Sequence, residues 1–157
     1  MKMTQLFFLL FIAVLSACNG TKHSAATSHT DSTASLTGTY WKLTELNGKP
    51  IGEAEEGKRR EVYLTLASKE NKVSGNAGCN GFGGTYTLQP DGFRLGFSQM
   101  MRTQMACDGL DLENEFMAIL EKADSYYITN NVLQLNRAKM APLAKFIAVP
   151  GKTISEK

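Results

Sequence analysis

Two patterns in the 157-residue sequence predict a mainly β (α+β) domain: a small curved antiparallel sheet or barrel with one packed α-helix. Apolar and polar residues alternate at period two over most of the stretch from Leu36 to Val149, as in strands with one face buried. One segment, "DLENEFMAILEKAD", repeats at helical spacing instead. Short turn pairs separate the alternating runs.

Taken in order, "TYWKLTEL" is the first strand and ends at the turn pair Asn47-Gly48. "EVYLTLA" sets Val62, Leu64 and Leu66 on one face. "KVSGNA" and "GTYTL" flank a glycine cluster, and "FRLGF" brings Phe93, Leu95 and Phe97 together after Asp91-Gly92. In the helical segment Leu112, Phe116, Ile119, Leu120 and Ala123 make one apolar stripe. Asp111 is expected to cap its first turn, and Glu113 and Glu115 suit the positive end of the helix. "SYYIT" and "VLQLN" face each other across Asn130-Asn131. "AKFIAV" closes the set, with Pro142 just ahead of it where a missing N–H is tolerated.

The beginning of the chain speaks to location. "MKMTQLFFLLFIAVLSAC" has the order of a secretory signal: a positive charge, an apolar run, then small residues. The run from Leu6 to Leu15 is about half the ~20 residues that a spanning helix needs. Leu15-Ser16-Ala17-Cys18 resembles the bacterial lipobox, in which the thiol takes a diacylglyceryl group and cleavage leaves it as the N-terminus. Residues 1–17 are therefore expected to be a lipoprotein signal peptide and Cys18 the lipidation site. Several acyl chains hold a protein to a membrane durably where one chain gives only marginal binding. Residues 18–35 are Ser, Thr and Ala with almost nothing large and apolar, and read as a flexible tether. Residues 36–149 are the domain and 150–157 a short C-terminal tail. Asn19 lacks the aspartate that retains some lipoproteins in the inner membrane, so the outer membrane is the expected location.

Composition removes several functions. With 17 Lys and Arg against 15 Asp and Glu, the chain has no electrostatic footprint for nucleic acid. Its 2 histidines, His23 and His29, both fall in the tether, so the domain has no His for a Ser-His-Asp triad and no Cys/His cluster for a metal. Asp108 and Asp111 suit acid–base work less well than capping, and Thr103 has no recognisable base. The expectation is a non-enzyme without cofactor or metal.

The motif with most chemical content is "GNAGCNGFGGTY". It lacks the Lys-[Ser/Thr] of a phosphate loop and leads into a strand rather than a helix, so its glycines read as a bend or close backbone approach. Of the 3 cysteines, lipid would consume Cys18, leaving Cys79 and Cys107 as a pair. In an oxidising compartment that pair is expected to form a structural disulfide, with free thiols and a redox dithiol as rival readings. Closing about 29 residues contributes ~3.6 kcal/mol in the chain-entropy account.

"TYWKLTELNGKPI", "GNAGCNGFGGTY", "MRTQMACDGLDLENEFMAIL" and "LQL", in that order, resemble the META domain family of HslJ-like bacterial heat-shock lipoproteins. The residues that carry the likeness are Gly78, Cys79, Asn80, Phe82, Gly84, Tyr86, Thr103, Met105, Ala106, Cys107 and Glu115. Asp108 stands where members often carry proline. The resemblance implies a lipocalin-like β barrel, an envelope location and a part in stress tolerance, with no catalytic residues to transfer.

The functional expectation is thus a monomeric, lipid-anchored envelope protein that acts by binding. Tyr40, Trp41, Phe82, Met100, Met101 and Met105 either line a surface for a small apolar ligand or fill the core. The loop "NGKPIGEAEEGKRR" is the alternative, as a contact for an envelope protein or an inhibitory module. A thiol oxidoreductase using Cys79 and Cys107 is the remaining alternative.

Overall fold

The computed structural model describes residues 33–54, 59–107 and 110–152. The signal peptide, Cys18, the tether up to residue 32, Asp108 and the end of the tail lie outside the described residues. Among the described residues the elements are β1 (Tyr40–Leu46), β2 (Lys49–Pro50), β3 (Tyr63–Leu66), β4 (Lys72–Asn76), β5 (Gly81–Leu88), β6 (Leu95–Arg102), α1 (Leu110–Lys122), β7 (Ser125–Thr129), β8 (Val132–Asn136) and β9 (Ala144–Ala148).

Every strand pairing is antiparallel, in the order β6-β5-β4-β3-β1-β9-β8-β7, with β2 folded back on β1. The outer strands come round until Arg94 and Ser125 pair. Leu95 N–H donates to Asp124 O at 3.1 Å, and Tyr126 N–H to Phe93 O at 2.9 Å. The result is a curled half-barrel with one helix, the architecture that the alternating pattern predicts.

Local irregularities bend the sheet. Register shifts between Leu43 and Glu45 where β1 meets β9. Strict alternation from Trp41 and Leu43 would turn Glu45 inward; the shift buries Leu46 instead. A second bulge lies on β6, where Gly83 opposes Met101 but Thr85 opposes Ser98. Gln99 takes φ +51° there, and a Cβ at Gly84 would lie 2.9 Å from the Ser98 carbonyl oxygen. Glycine at 84 is what lets the bulged strand approach.

The helix fills the hollow of the sheet. Phe116 meets Phe82 of β5 edge-on at 5.7 Å and Phe146 of β9 at 6.1 Å, joining opposite walls through one ring. Trp41, Leu64, Leu66, Leu95, Leu120, Leu133 and Leu135 complete the core. The polar tips of its large aromatics are satisfied: Trp41 Nε1 donates to Leu36 O at 3.0 Å and Tyr86 OH to Ala67 O at 2.7 Å.

Two local expectations need correction. Phe93 does not share a face with Leu95 and Phe97; it is 55% exposed in the turn before β6. Asp91 Oδ1 accepts from the backbone N–H of Phe93 and Arg94 at 3.2 and 3.1 Å and holds that turn. Asp111 lies inside the first turn of α1 rather than ahead of it. Glu113 does lie in the first turn of α1, as expected, and is fully buried there.

Antiparallel register sorts the connections to two ends of the half-barrel. One end carries the Asn47-Gly48 turn, the 77–80 turn and the 103–107 segment. The other carries Asn130-Asn131, both at positive φ, and the start of the domain, where Ala34 N–H donates to Asn131 Oδ1 at 2.8 Å.

Candidate functional site

The 77–80 turn is built from its own side chains. Asn76 Oδ1 accepts from Gly78 N–H at 2.8 Å, and Ala77 N–H donates to Asn80 O at 2.9 Å. Gly78 sits at φ +113°, a conformation that favours glycine. Arg60 N–H donates to Gly78 O at 2.7 Å, and the Arg60 guanidinium donates to the Cys79 carbonyl. Cys79 is thereby presented to Cys107, and the two form a disulfide with their Cα atoms 6.2 Å apart.

Asn80 is the hub of this end, at 1% exposure. Its Oδ1 accepts from Thr103 Oγ1 and from Met105 N–H, both at 2.7 Å. Its Nδ2 donates to Met105 O at 3.2 Å and to Glu113 Oε1 at 3.0 Å, while its backbone N–H donates to Glu113 Oε2 at 2.8 Å. These contacts use the full hydrogen-bonding capacity of the amide side chain. Arg102 Nη1 also donates to Glu113 Oε1, at 3.0 Å, so the buried carboxylate has a charged partner. Among the described residues no buried side-chain polar atom lacks a partner.

The product is an exposed segment on a fixed backbone. Thr103, Gln104, Met105 and Ala106 all face solvent, with Met105 57% exposed. Thr103 N–H donates to Gly81 O at 3.1 Å, Met105 is held through both backbone groups, and Cys107 is bonded covalently.

Residues singled out in the sequence fall into three groups. Gly78, Cys79, Asn80, Thr103, Met105, Ala106 and Cys107 come together here. Phe82, Gly84 and Tyr86 run up β5 into core and bulge. Glu115 lies outside the hub, accepting from Asn47 Nδ2 at 2.6 Å. The hub's carboxylate is Glu113, whose spacing from Phe116, Met117 and Leu120 was the available signal: i, i+3, i+4 and i+7 share one helix face.

The aromatic and methionine candidates also separate. Trp41 and Phe82 are core. Tyr40 stacks on Tyr63 at 4.3 Å on the outer surface. Met100 and Met101 line a groove of about 250 Å³ between β6 and α1, with Arg102, Asn114, Met117, Ala118 and Glu121.

A second polar cluster surrounds Tyr40 near the other end. Tyr40 OH donates to Glu61 Oε1 at 2.8 Å, and Lys152 and Lys42 approach Glu61 at 2.6 and 3.3 Å. Burial, then the Glu61 hydrogen bond, push the Tyr40 phenol well above its ordinary range. Burial alone would raise the Glu61 carboxyl, but hydrogen bonds from Lys152, Tyr40 and Lys42 outweigh it and hold the group below the usual range. Among the described residues no group of three or more His, Cys, Asp and Glu is placed to hold a metal ion.

The family model for the META domain matches residues 34–149. Two solved structures are similar. The NMR structure of a protein from Burkholderia xenovorans is 25% identical with a TM-score of 0.59, over 73% of this chain and 84% of that one. The crystal structure of a DUF4847 family protein from Bacteroides vulgatus is 16% identical with a TM-score of 0.52, over 71% of this chain and 93% of that one. No curated protein matches.

Proposed function

The chain belongs to the META domain family, and on that premise we propose that it is a non-enzymatic lipoprotein of the bacterial envelope that supports stress tolerance by binding a partner protein. The anchor in this reading is the acyl chains on Cys18. The observation that carries the binding role is the segment Thr103–Ala106, whose side chains are exposed while Asn80 and the disulfide hold its backbone. A partner that meets a backbone already ordered loses less conformational freedom on association than one that must order a loose loop. Burying Asn80 and Glu113 to hold an exposed irregular segment favours a contact surface there over the "NGKPIGEAEEGKRR" loop. The tether joins the domain at the opposite end, at Ala34.

The test places a photo-cross-linking residue at Gln104 of the full chain in cells, with Leu88 at the far end as control. A discrete adduct from position 104, lost in Asn80→Ala protein that still melts cooperatively, supports the reading. Identical adducts from both positions, or none from 104, end it.

The groove beside α1 favours a second reading, a small apolar ligand seated on Met100, Met101 and Met117. Such a ligand would raise the melting temperature of the wild type and not of Met117→Lys protein.

A further inference from the structure

The two sulfurs of the disulfide are not equivalent, and the difference assigns a modification site. Cys79 is 5% exposed and sits on the 77–80 turn, which faces Val62 at Gly78, whereas Cys107 is half-buried and follows four exposed residues. A thiolate breaks a disulfide by in-line attack, approaching one sulfur from the side opposite the sulfur that leaves. Burial of Cys79 leaves little surface for such an approach to its sulfur. Cys107 offers more.

Arg60 donates from its guanidinium to the Cys79 carbonyl, and the Met105 carbonyl oxygen lies 3.4 Å from Cys79 Sγ, so the buried cysteine is also held in place by its neighbours. Access therefore selects Cys107 as the sulfur attacked.

We propose that thiol–disulfide exchange enters this domain at Cys107, which is the site of mixed-disulfide formation with an external thiol. In the first step the bond between Cys107 Sγ and the incoming sulfur forms as the Cys79–Cys107 bond breaks, and the electron pair of the broken bond stays on Cys79 Sγ as thiolate. With a monothiol the Cys79 thiolate attacks back and expels it. With a dithiol, the second thiolate attacks the incoming sulfur, releases Cys107 as thiolate and leaves the dithiol oxidised and the domain reduced by two electrons. The reverse sequence writes the bond, so Cys107 is also where a dithiol oxidoreductase of the envelope is held while the domain is oxidised. This inference is independent of the binding reading above, since it concerns the sulfurs alone.

The test uses full-length protein with its native disulfide, treated briefly with limiting reduced glutathione, acid-quenched, alkylated and mapped by mass. Glutathione is expected on the peptide carrying Cys107 in at least tenfold excess over that carrying Cys79; Cys18 falls on a third peptide. Because reclosure can keep the adduct scarce, Cys79→Ser and Cys107→Ser proteins are also reacted with oxidised glutathione. The Cys107 thiol is expected to react at least tenfold faster than the Cys79 thiol in buffer, and at the same rate in 6 M guanidinium. Adducts mainly on Cys79, an even split in the native protein, or equal rates for the two thiols in buffer overturn the proposal.

Discussion

Glu113 holds Asn80 at two points, accepting its backbone N–H on Oε2 at 2.8 Å and its side-chain amide on Oε1 at 3.0 Å, with both residues buried. Asn80 in turn holds Met105 through both backbone groups. The first turn of α1, the 77–80 turn and the exposed segment are therefore one polar unit. Its members are worth more together than pair by pair, because each loss strands a buried group.

Removing the carboxylate strands several groups at once. Glu113→Ala leaves the two Asn80 donors without an acceptor and Arg102 without its counter-ion. Breaking a buried pair in this way costs about 3–5 kcal/mol. Glu113→Gln keeps the volume but aims N–H groups at donors, and is expected to cost about 1–3 kcal/mol. Urea midpoints of the two variants check the order; a Glu113→Gln midpoint equal to wild type would show that charge and acceptor count do not matter here.

Asn80→Ala is expected to act on the exposed segment more than on the core. Met105 N–H donates to Asn80 Oδ1, so its hydrogen exchange reports the bracket directly. That amide should exchange at least tenfold faster in the variant, while core amides such as that of Leu64 keep their protection. Equal acceleration across β3 and the segment would mean that the substitution unfolds the domain globally.

How much of this was legible depends on the range of the interaction. The hairpins at Asn47-Gly48 and Asn130-Asn131 rest on residues that accept positive φ, and they were readable as dipeptides. The helix was readable from its stripe. Leu46 and Gly84 were not, because each answers to a bulge set by a neighbouring strand far along the chain. Glu113 falls between the two cases. Its helical position put it on the buried face, but its charge argued for solvent, and only the arrival of Asn80 and Arg102 from β5 and β6 reconciles the two. The pairing of Cys79 with Cys107 was readable from the cysteine count, whereas the arrival of Met105 at Asn80 was not, because the two residues are 25 positions apart and meet through hydrogen bonds that leave no periodic trace.

Gly75 and Gly96 make a controlled pair for the role of glycine in the sheet. A Cβ at Gly75 would overlap the Tyr63 carbonyl oxygen and meet the Phe82 ring at 2.7 Å, while nothing lies within 4 Å of one at Gly96. Backbone cannot yield as a flexible side chain does, so Gly75→Ala should cost about 1–3 kcal/mol, the usual range for overpacking. Gly96→Ala should leave the thermal midpoint within about a degree or raise it, since it restricts the unfolded chain at no steric cost. Equal midpoints for the two variants would remove the close-approach account of the "GNAGCNGFGGTY" run.

The Tyr40 cluster yields a prediction in pH. Glu61 has its carboxyl held below the ordinary range, against the effect of burial, by Lys152, Tyr40 and Lys42. A carboxyl depressed on folding binds fewer protons in the native state than in the unfolded chain, so its contribution is complete above the unfolded value, about 4.3, and is lost as pH falls through the lower folded one. Glu61→Gln protein should therefore have a lower urea midpoint than wild type at pH 7, and the gap should narrow steadily below about pH 4.3. The pair is partly solvated, so the gap at pH 7 should also shrink in high salt. A difference between the two proteins that is constant from pH 7 to pH 3 would assign the role of Glu61 to packing rather than charge, because only the ionised form accepts all three partners without a competing donor.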